Sequence, residues 1–474
     1  MARTDGEQNM SGIGWRDRRA AVWGIAGVFA IAVQARVDAA DFRVGASGEY
    51  TTVAIALSDA LIAGPGPHRV LIESGEHVDS LNFNVTGTRD ITISGGWGSG
   101  FVTQAPLPSA SVLRAGLAAP VLRATVSDQA ILTVENLTVT GTQGNLGGGM
   151  RVDVQGSGQL RLRDVVISDN TTTSLFGAGL HARLVGNAVL DVERVDVHHN
   201  RSLGAGAKSG AGIKLSMVDA SVAWLRQLDL HDNRDSVDAT ASFGIGMDVS
   251  ASQSAFFILE DARIHDQVTD APSASGVGMA VGLSGAASAV LDRIDLRRNN
   301  AAAATSGNRE QLGVTLSDQS TLRLENSLVA EGAGNGVMVN ANTTGSTRLT
   351  NLTIADQTGY GIRFFGSGGL RRFANSVVHN AGLTVTNDFS PGTERHHNLG
   401  NVLNGVDPQF VASGDYHVSP SSPAVDAGDD GIVSVAPGLD LDSQARFQGA
   451  HVDIGAYERV AERVFDDSFE GDAP

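Results

Sequence analysis

A short phrase that recurs along the middle of the chain constrains its fold more than any other feature. The phrase is apolar-x-apolar, two polar residues, apolar-x-apolar and then Asn or a substitute, and its clearest copy spans residues 160–170. Successive copies lie 24 to 34 residues apart, with their second apolar residue at Val134, Leu162, Val192, Leu225, Leu259, Leu291, Leu324, Leu349 and Phe373. Nine copies of one phrase predict an array of stacked structural units.

Each unit carries segments with the two-residue period of β-strands. A glycine-led alternation of apolar and polar residues precedes most copies, as in 177–182 and 276–281. No unit contains a ten-residue stretch with helical periodicity, which argues against a βα horseshoe. Three short strands in every 24 to 34 residues are typical of a solenoid, so the pattern predicts an all-β parallel β-helix of about ten coils.

A tight corner is expected between the second and third strand of each coil. Six of the nine copies end this corner in Asn or Asp, residues that tolerate a left-handed backbone. These six are Asn136, Asp164, Asp261, Asn326, Asn351 and Asn375. Stacked on one another, they are expected to form a ladder of side-chain hydrogen bonds between coils.

Over residues 121–380 the repeats resemble the pectate-lyase-like superfamily of right-handed parallel β-helices. The resemblance implies a right-handed solenoid, but that fold hosts lyases, hydrolases, adhesins and passive spikes, so it implies no single activity. The Asn-Thr-Asp, Asp-Asp, Gly-His-Gly and Arg-Ile-Lys segments of pectin hydrolases are absent in that arrangement, as is the Trp-Ile-Asp-His phrase of pectate lyases. A recognisable pectinase is therefore not expected.

The two ends of the array differ from the repeats, as a solenoid requires. Residues 50–63 read as an amphipathic helix that covers the first coil. At the other end, residues 407–410, 422–428, 440–442, Arg446 and 453–458 resemble the closing module of secreted bacterial β-helix proteins of the choice-of-anchor Q type. We expect an irregular module there, in which Arg446 forms a charge-assisted network with Asp426, Asp453 and Glu458.

The N-terminus has the layout of a secretory signal peptide, because Arg16, Arg18 and Arg19 precede an apolar run at 20–33 and small residues at 38–40. An uncleaved N-terminal anchor is the alternative. We divide the chain into a signal peptide (1–40), an N-terminal cap and first coil (41–115), β-helix repeats (116–382), a closing module (383–458) and an acidic tail (459–474). The expected location is secreted or on the bacterial cell surface, with no membrane span in the mature chain.

Charge and composition limit the classes of ligand that the chain is expected to bind. The formal net charge is -18, and no basic run offsets it, so nucleic acid is not an expected partner. There is no cysteine, which leaves His, Asp, Glu and backbone carbonyls as the available metal ligands. Calcium is possible at the acidic residues near the C-terminal cap, which are Asp426, Asp429, Asp430, Asp440 and Asp442.

Outward positions of the glycine-led strands form a basic row, because equivalent residues of adjacent coils stack about 4.8 Å apart. Its members are Arg151, His181 and Lys214, followed by Asp248, with Arg183 in the next outward row. Such a row matches the carboxylates of an acidic polysaccharide, and a positioned Arg, Lys or His could remove the proton next to a uronate carboxylate. The alternative is a solvated face on which Lys214 and Asp248 pair as neighbouring ions.

The third strand of each coil carries the densest set of His and carboxylate residues, which comprises Asp196, His198, Asp229, His231 and His265. His198 and His231, in adjacent coils, could share one zinc ion, whereas three stacked histidines could not chelate one ion without distortion. Asp196 and Asp229 approach the separation of a retaining glycosidase pair. An inert polar stack is the alternative, and we assign this set to binding without assigning a metal site.

The sequence thus favours an exported, non-catalytic β-helix protein that binds a polysaccharide or a cell-surface glycan. The alternative is a polysaccharide lyase or glycoside hydrolase acting on an acidic polysaccharide at Arg151, His181 and Lys214. Long turns after Asn170, Asn200, Asn233 and Gln267 precede the glycine-led strands and are expected to form a groove beside them.

Overall fold

A computed structural model describes residues 39–116, 119–144, 148–236, 238–301, 303–379, 388–401, 403–433 and 438–459. The predicted signal peptide lies outside the described residues except for its last two positions. The predicted acidic tail lies outside them except for Arg459. None of the helices in the described part of the chain is long and apolar enough to cross a bilayer.

The chain winds into a right-handed parallel β-helix, as the repeat predicts. Within the described residues, sixteen strands form one long sheet. In chain order these strands are Ala40–Val44, His68–Glu73, Gly75–Val78, Asp90–Trp97, Ser111–Arg114, Ile131–Thr140, Gln159–Ser168, Val189–His198, Val222–His231, Phe256–His265, Ser288–Arg297, Thr321–Ala330, Ser346–Ala355, Leu370–Ala374, Val377–His379 and Glu394–His396. Neighbouring strands in this sheet pair in parallel, so each coil adds one layer.

A second parallel sheet closes the other side of each coil and holds eleven described strands, which fits the expected ten or so coils. They are Leu81–Val85, Leu122–Val126, Met150–Gly156, Leu180–Gly186, Ile213–Met217, Met247–Ala251, Met279–Leu283, Glu310–Asp318, Asn335–Thr343, Ile362–Phe365 and Asp388–Phe389. The glycines that lead these segments precede the strands and let the coils approach. A Cβ at Gly212 would lie 2.4 Å from the carbonyl oxygen of Gly246.

The long turns form two further short parallel sheets. One contains Gln143–Gly144, Thr171–Thr172, Arg201–Ser202 and Arg234–Asp235, and the other contains Gly206–Ser209, Ala239–Phe243 and Ala274–Ser275. The turns are therefore ordered layers that continue the stacking of the coils.

Inward-facing aliphatic residues fill the interior. In one pair of coils Leu160 stacks on Leu190 and Leu162 on Val192, and all four are at most 1% exposed. Most of the buried aliphatic residues form one cluster that extends from Val44 to Val378. Because polar residues alternate with these, each strand presents one row to the core and one to solvent.

The predicted left-handed corners are confirmed at all nine copies, with φ between 48° and 57°. The corner bends the strand without ending it, so the predicted second and third strands are one ten-residue strand in eight coils. Three copies place other residues there, namely Arg194, Gln227 and Arg293. The two arginines are held by paired hydrogen bonds to the corner aspartates of the preceding coil, Arg194 to Asp164 and Arg293 to Asp261.

The continuous amide ladder lies at a different corner from the predicted one, at the end of the repeats, with one step supplied by Gln311 from the start of the strand Glu310–Asp318. Its members are buried Asn170, Asn200, Asn233, Gln267, Asn299, Gln311 and Gln357. Each side-chain oxygen accepts hydrogen bonds from the previous member, for example from the backbone amide of Asn170 to Asn200 at 3.2 Å. At the predicted corner only isolated links occur, such as Asn351 to Asn326 at 3.0 Å. The ladder residues are all buried, whereas the predicted corner also holds exposed residues such as Arg194 and Gln227.

Both ends are covered. The predicted lid is one α-helix, Val53–Ile62, whose first turn is capped by Thr52 and whose Val53, Ala56, Leu57 and Ala60 are buried. A 3-10 turn, Pro108–Ala110, lies on the first coils. At the C-terminal end an irregular module with one antiparallel hairpin, Phe410–Ala412 and Asp415–Val418, packs on the last coils.

Removing one step of the ladder is expected to destabilise the solenoid. In Asn200→Ala the amide of Asn170 loses its acceptor, and the carbonyl of Ile167 loses a donor at 2.8 Å. Unpaired buried polar groups cost about 1–3 kcal/mol each, so the midpoint of urea unfolding should fall clearly. Asn187→Ala, at an exposed position in a turn, is the control and should change stability by less than about 0.5 kcal/mol. Equal midpoints for the two variants would show that the ladder contributes little.

Candidate functional site

The second sheet brings the predicted basic residues together in register. Arg151 is paired with His181, His181 with Lys214, and Lys214 with Asp248. The row also extends one coil further than predicted, because Arg123 pairs with Arg151. We name the row Arg123, Arg151, His181 and Lys214 the basic face. Arg123 could have been found from the inward neighbours Leu122 and Ala124, which force its side chain outward.

Lys214 is an ion-pair partner and not a free base. Its Nζ lies 2.9 Å from Asp248 Oδ2 and donates to Ser250 Oγ at 3.0 Å. The Lys214 side chain is 10% exposed, and Asp248 also accepts a hydrogen bond from Ser209. The predicted pairing of Lys214 with Asp248 across neighbouring strands is thus present. Arg183 lies in the adjacent outward row, where it is exposed and in register with Asp153.

His181 is held neutral by its surroundings. Burial lowers its pKa to about 4, and the nearby Arg151 and Lys214 cations act in the same direction, while Asp153 opposes them. A general base works best with a pKa near the working pH. A histidine with a pKa of about 4 is poorly suited to remove a proton at neutral pH.

A short parallel sheet formed by the long turns lies beside the basic face. It consists of the short sheet Gly206–Ser209, Ala239–Phe243 and Ala274–Ser275, together with Phe176, which bridges to Ser209. We name it the turn wall. The long turns thus lie next to the basic face as an ordered sheet, and the groove expected there stays a prediction.

Two phenylalanines on the turn wall face solvent. Phe176 is 41% exposed and Phe243 is 43% exposed. The Phe176 ring lies 6.0 Å from the His181 ring and 5.9 Å from Lys214 Nζ. Sequence reasoning missed Phe176 because turns lack the periodicity that assigns side chains to faces.

The predicted histidine set is also assembled, on the outward side of the long sheet. His198, His231 and His265 stand in register, with ring centroids 4.8 Å and 5.2 Å apart and nearly parallel planes. We name these three the histidine column. Asp196 and Asp229 occupy the row two residues earlier in the same strands.

Each ring of the column meets carboxylates, although the partners differ. His231 Nε2 lies 3.3 Å from Asp196 Oδ1, and His198 Nε2 lies 3.9 Å from Asp196 Oδ2. His265 Nε2 lies 3.1 Å from Asp229 Oδ1. Burial raises the pKa of Asp196 and lowers that of His198, whereas the hydrogen bond to Asp229 raises the pKa of His265.

Beyond His265 the surface forms a depression of 310 Å³. It is lined by Arg263, His265, Asp295, Arg297 and Arg298. Arg297 pairs with Asp295 at 2.7 Å and also reaches the closing module, where Gly414 and Tyr457 accept from it. The depression therefore lies at the junction of the coils and the closing module, and most of its cations are already paired.

The acidic residues considered for calcium do not converge. Asp429 accepts from the backbone of Gly431, Asp430 pairs with His451 at 2.9 Å, and Asp442 pairs with His417 at 2.7 Å. Among the residues described, the groups of three His, Asp or Glu whose ligand atoms come together lie in the histidine region and not here.

In the closing module, the hydrogen bonds of Arg446 and the nearby carboxylates differ from the predicted network. Arg446 is fully buried, and its Nη2 donates to the carbonyls of Asp453 and Gly455 at 2.9 and 3.0 Å. Glu458 lies 3.7 Å away, and burial raises its pKa to about 8. Asp426 accepts instead from the backbone of His451 at 3.1 Å. The carboxylates mainly hold backbone amides of the module.

No protein-family model and no curated protein matches the chain. Among solved structures it is similar to pectate lyase Pel9A, with a TM-score of 0.48 and 13% identity over 89% of this chain and 96% of that chain. It is also similar to the deglycosylated pectin methylesterase from Aspergillus niger, with a TM-score of 0.29 and 13% identity over 84% of this chain and 94% of that chain. These likenesses concern the fold.

The low pKa of His181 has a measurable consequence. An unfolded histidine titrates near 6.5, so between pH 6.5 and about 4 the unfolded chain binds more protons than the folded one. The resulting stability is fully present above pH 6.5 and is lost as the pH falls through 4. The NMR signal of His181 should stay unchanged from pH 8 to 5, and His181→Gln should flatten the stability profile below pH 6.5.

His451 provides the internal control for this titration. It is exposed, and the hydrogen bond to Asp430 raises its pKa, so its signal should move above pH 6.5 in the same sample. A His181 signal that titrates together with that of His451 would contradict the buried, neutral state.

Proposed function

We propose that this chain is an exported, non-catalytic β-helix protein that binds an acidic polysaccharide along the basic face. The observation that carries the proposal is the alignment of four basic residues in four consecutive coils beside exposed Phe176. Export to the medium or the cell surface belongs to the same proposal and rests on the signal-peptide pattern at 1–40. The likeness of the closing segment to choice-of-anchor Q modules agrees with a surface location.

Spacing and charge support an acidic, extended ligand. Arg123 and Arg151, in adjacent coils about 4.8 Å apart, carry the positive charge of the face at neutral pH, because His181 is neutral and Lys214 is paired with Asp248. The protein as a whole carries a charge of -18, and a local row of positive charge therefore attracts a polyanion selectively to this face. Exposed Arg183, in the adjacent row, widens the positive area.

The turn wall supports a sugar ligand in particular. An aromatic ring that is partly exposed offers an apolar surface at low entropic cost. Phe176 and Phe243 belong to the same column of the turn wall, because Ser209 pairs with both, so they are two coils apart, or about 9.6 Å. Sugar rings of an extended chain could stack on both while their carboxylates meet the basic face.

The same contacts argue against catalysis at this face. Lys214 is engaged by Asp248 and Ser250, and His181 is too weak a base at neutral pH. A lyase needs a base that is free to accept a proton in the transition state. The pairing of these groups supports binding over bond cleavage.

Retention of the mature protein on an immobilised polyuronate gel tests the proposal. We expect salt-sensitive retention, a 3- to 10-fold loss of affinity (roughly) in Phe176→Ala, and elution of Arg183→Gln at lower salt. Phe447→Ala, at a 48% exposed position in the closing module, is the matched control and should elute with the wild type. Retention that is insensitive to both test variants would contradict binding at the basic face.

A parallel assay addresses the enzymatic alternative. The protein is incubated with acidic and neutral polysaccharides, with and without calcium, and ultraviolet absorbance of unsaturated uronate and release of reducing ends are followed. We expect no product. Product that disappears in His181→Ala would establish a lyase or hydrolase at the same face.

A further inference from the structure

We infer that Asp196, His198 and His231 form a binding site for one divalent transition-metal ion of the zinc class. One carboxylate oxygen and one nitrogen from each ring lie within 4.8 Å of one another. All three residues are half-buried. This site is separate from the basic face and does not depend on the proposed glycan binding.

The backbone pre-positions the ligands. His198 and His231 are register partners in the parallel strands Val189–His198 and Val222–His231, so their rings stack 4.8 Å apart at an angle of 9°. Asp196, two residues before His198, points to the same side of its strand. The three ligands therefore come from two adjacent layers whose spacing is fixed by main-chain hydrogen bonds.

The hydrogen bonds of His231 define its tautomer. Its Nδ1 lies 2.8 Å from Asp232 Oδ2, and a carboxylate can only accept, so Nδ1 carries the hydrogen. This contact arises because Asp232 has a left-handed backbone, with φ of 52°, which turns the chain back beside the preceding ring. A carboxylate behind a histidine in this way is the usual outer partner of a metal-bound imidazole.

The other side of the His231 ring then faces a second acceptor. In the neutral ring Nε2 carries a lone pair, and it lies 3.3 Å from Asp196 Oδ1. That oxygen is buried and has no hydrogen-bond partner among the described residues. Two acceptors at this distance repel unless a cation lies between them, and His198 Nε2, at 3.9 Å from Asp196 Oδ2, adds a third ligand to the same point.

The ligand set selects the kind of ion. Two imidazoles and one carboxylate suit zinc and neighbouring first-row ions, whereas calcium prefers oxygen ligands alone. Bonds near 2.1 Å place tetrahedral ligand atoms roughly 3.4 Å apart, so the two rings have to tilt toward each other. Three protein ligands leave a further coordination position for water or a ligand group.

The next layer offers a matched comparison. His265 has the same pair of contacts, with Asp266 at 2.7 Å on Nδ1 and Asp229 at 3.1 Å on Nε2. It is not part of a convergent group of three ligands among the described residues. A proton between His265 and Asp229 satisfies that pair, so His265 is not expected to hold the metal.

Calorimetric titration of Zn²⁺ into the EDTA-treated full chain tests the site, with Co²⁺ absorption as a second readout. We expect one Zn²⁺ per chain and a visible Co²⁺ spectrum. Asp196→Asn and His231→Gln should weaken binding about 100-fold or more, Asp232→Asn should weaken it by about 10- to 100-fold, and His265→Gln should leave it unchanged. Circular dichroism in EDTA checks that every variant is folded; if His231→Gln is not, Asp196→Asn decides.

Other outcomes would overturn the inference. A wild-type chain that takes up neither Zn²⁺ nor Co²⁺ holds only a proton between Asp196 and His231. Binding that survives Asp196→Asn, or that is lost equally in His265→Gln, would place any metal elsewhere on the chain.

Discussion

Exact registry between coils is the constraint on which the rest of this structure depends, and the buried amide ladder enforces it. Asn200 illustrates the principle, because its side chain bonds both to the previous and to the next ladder member and also to backbone carbonyls. A slip of one residue would bury these amides without partners, at a cost of about 1–3 kcal/mol for each group. A one-residue slip would also turn the aliphatic row toward solvent, whereas a slip of two residues would keep apolar side chains inside and is opposed chiefly by the ladder.

The ladder explains why the sequence predicts columns so well. Once registry is fixed, the two-residue period assigns each side chain to a face, and the repeat assigns it to a layer. The rows through His181 and through His231 were predicted on this basis and occur in the structure. The corner residues were also placed correctly, but the ladder was assigned to the wrong corner. Both corners need left-handed residues, and only the path of the closed coil decides which amides point inward.

Prediction from the sequence is incomplete in segments that lack the two-residue period of the strands. The turn that carries Phe176 has no alternation, so nothing in the sequence distinguishes its exposed ring from a core residue. The closing module shows the same limit. The charged residues of its network were recognised, yet Arg446 donates to carbonyls and the carboxylate of Asp453 accepts from the backbone amides of Asp426 and Arg459. In irregular segments the backbone itself needs hydrogen-bond partners. Polar side chains there bond mainly to backbone groups and less to one another.

The stacking that builds this fold also governs its surface chemistry. Like groups in one column are held about 4.8 Å apart, a distance at which like charges destabilise one another. The basic face relieves this repulsion with a neutral histidine and with Asp248 beside Lys214. The histidine column relieves it with carboxylates that alternate along the same strands. At Asp196 two imidazoles share one carboxylate, which is the arrangement of the inferred metal site. The main-chain pairing of adjacent coils holds these three ligands close together before a cation binds.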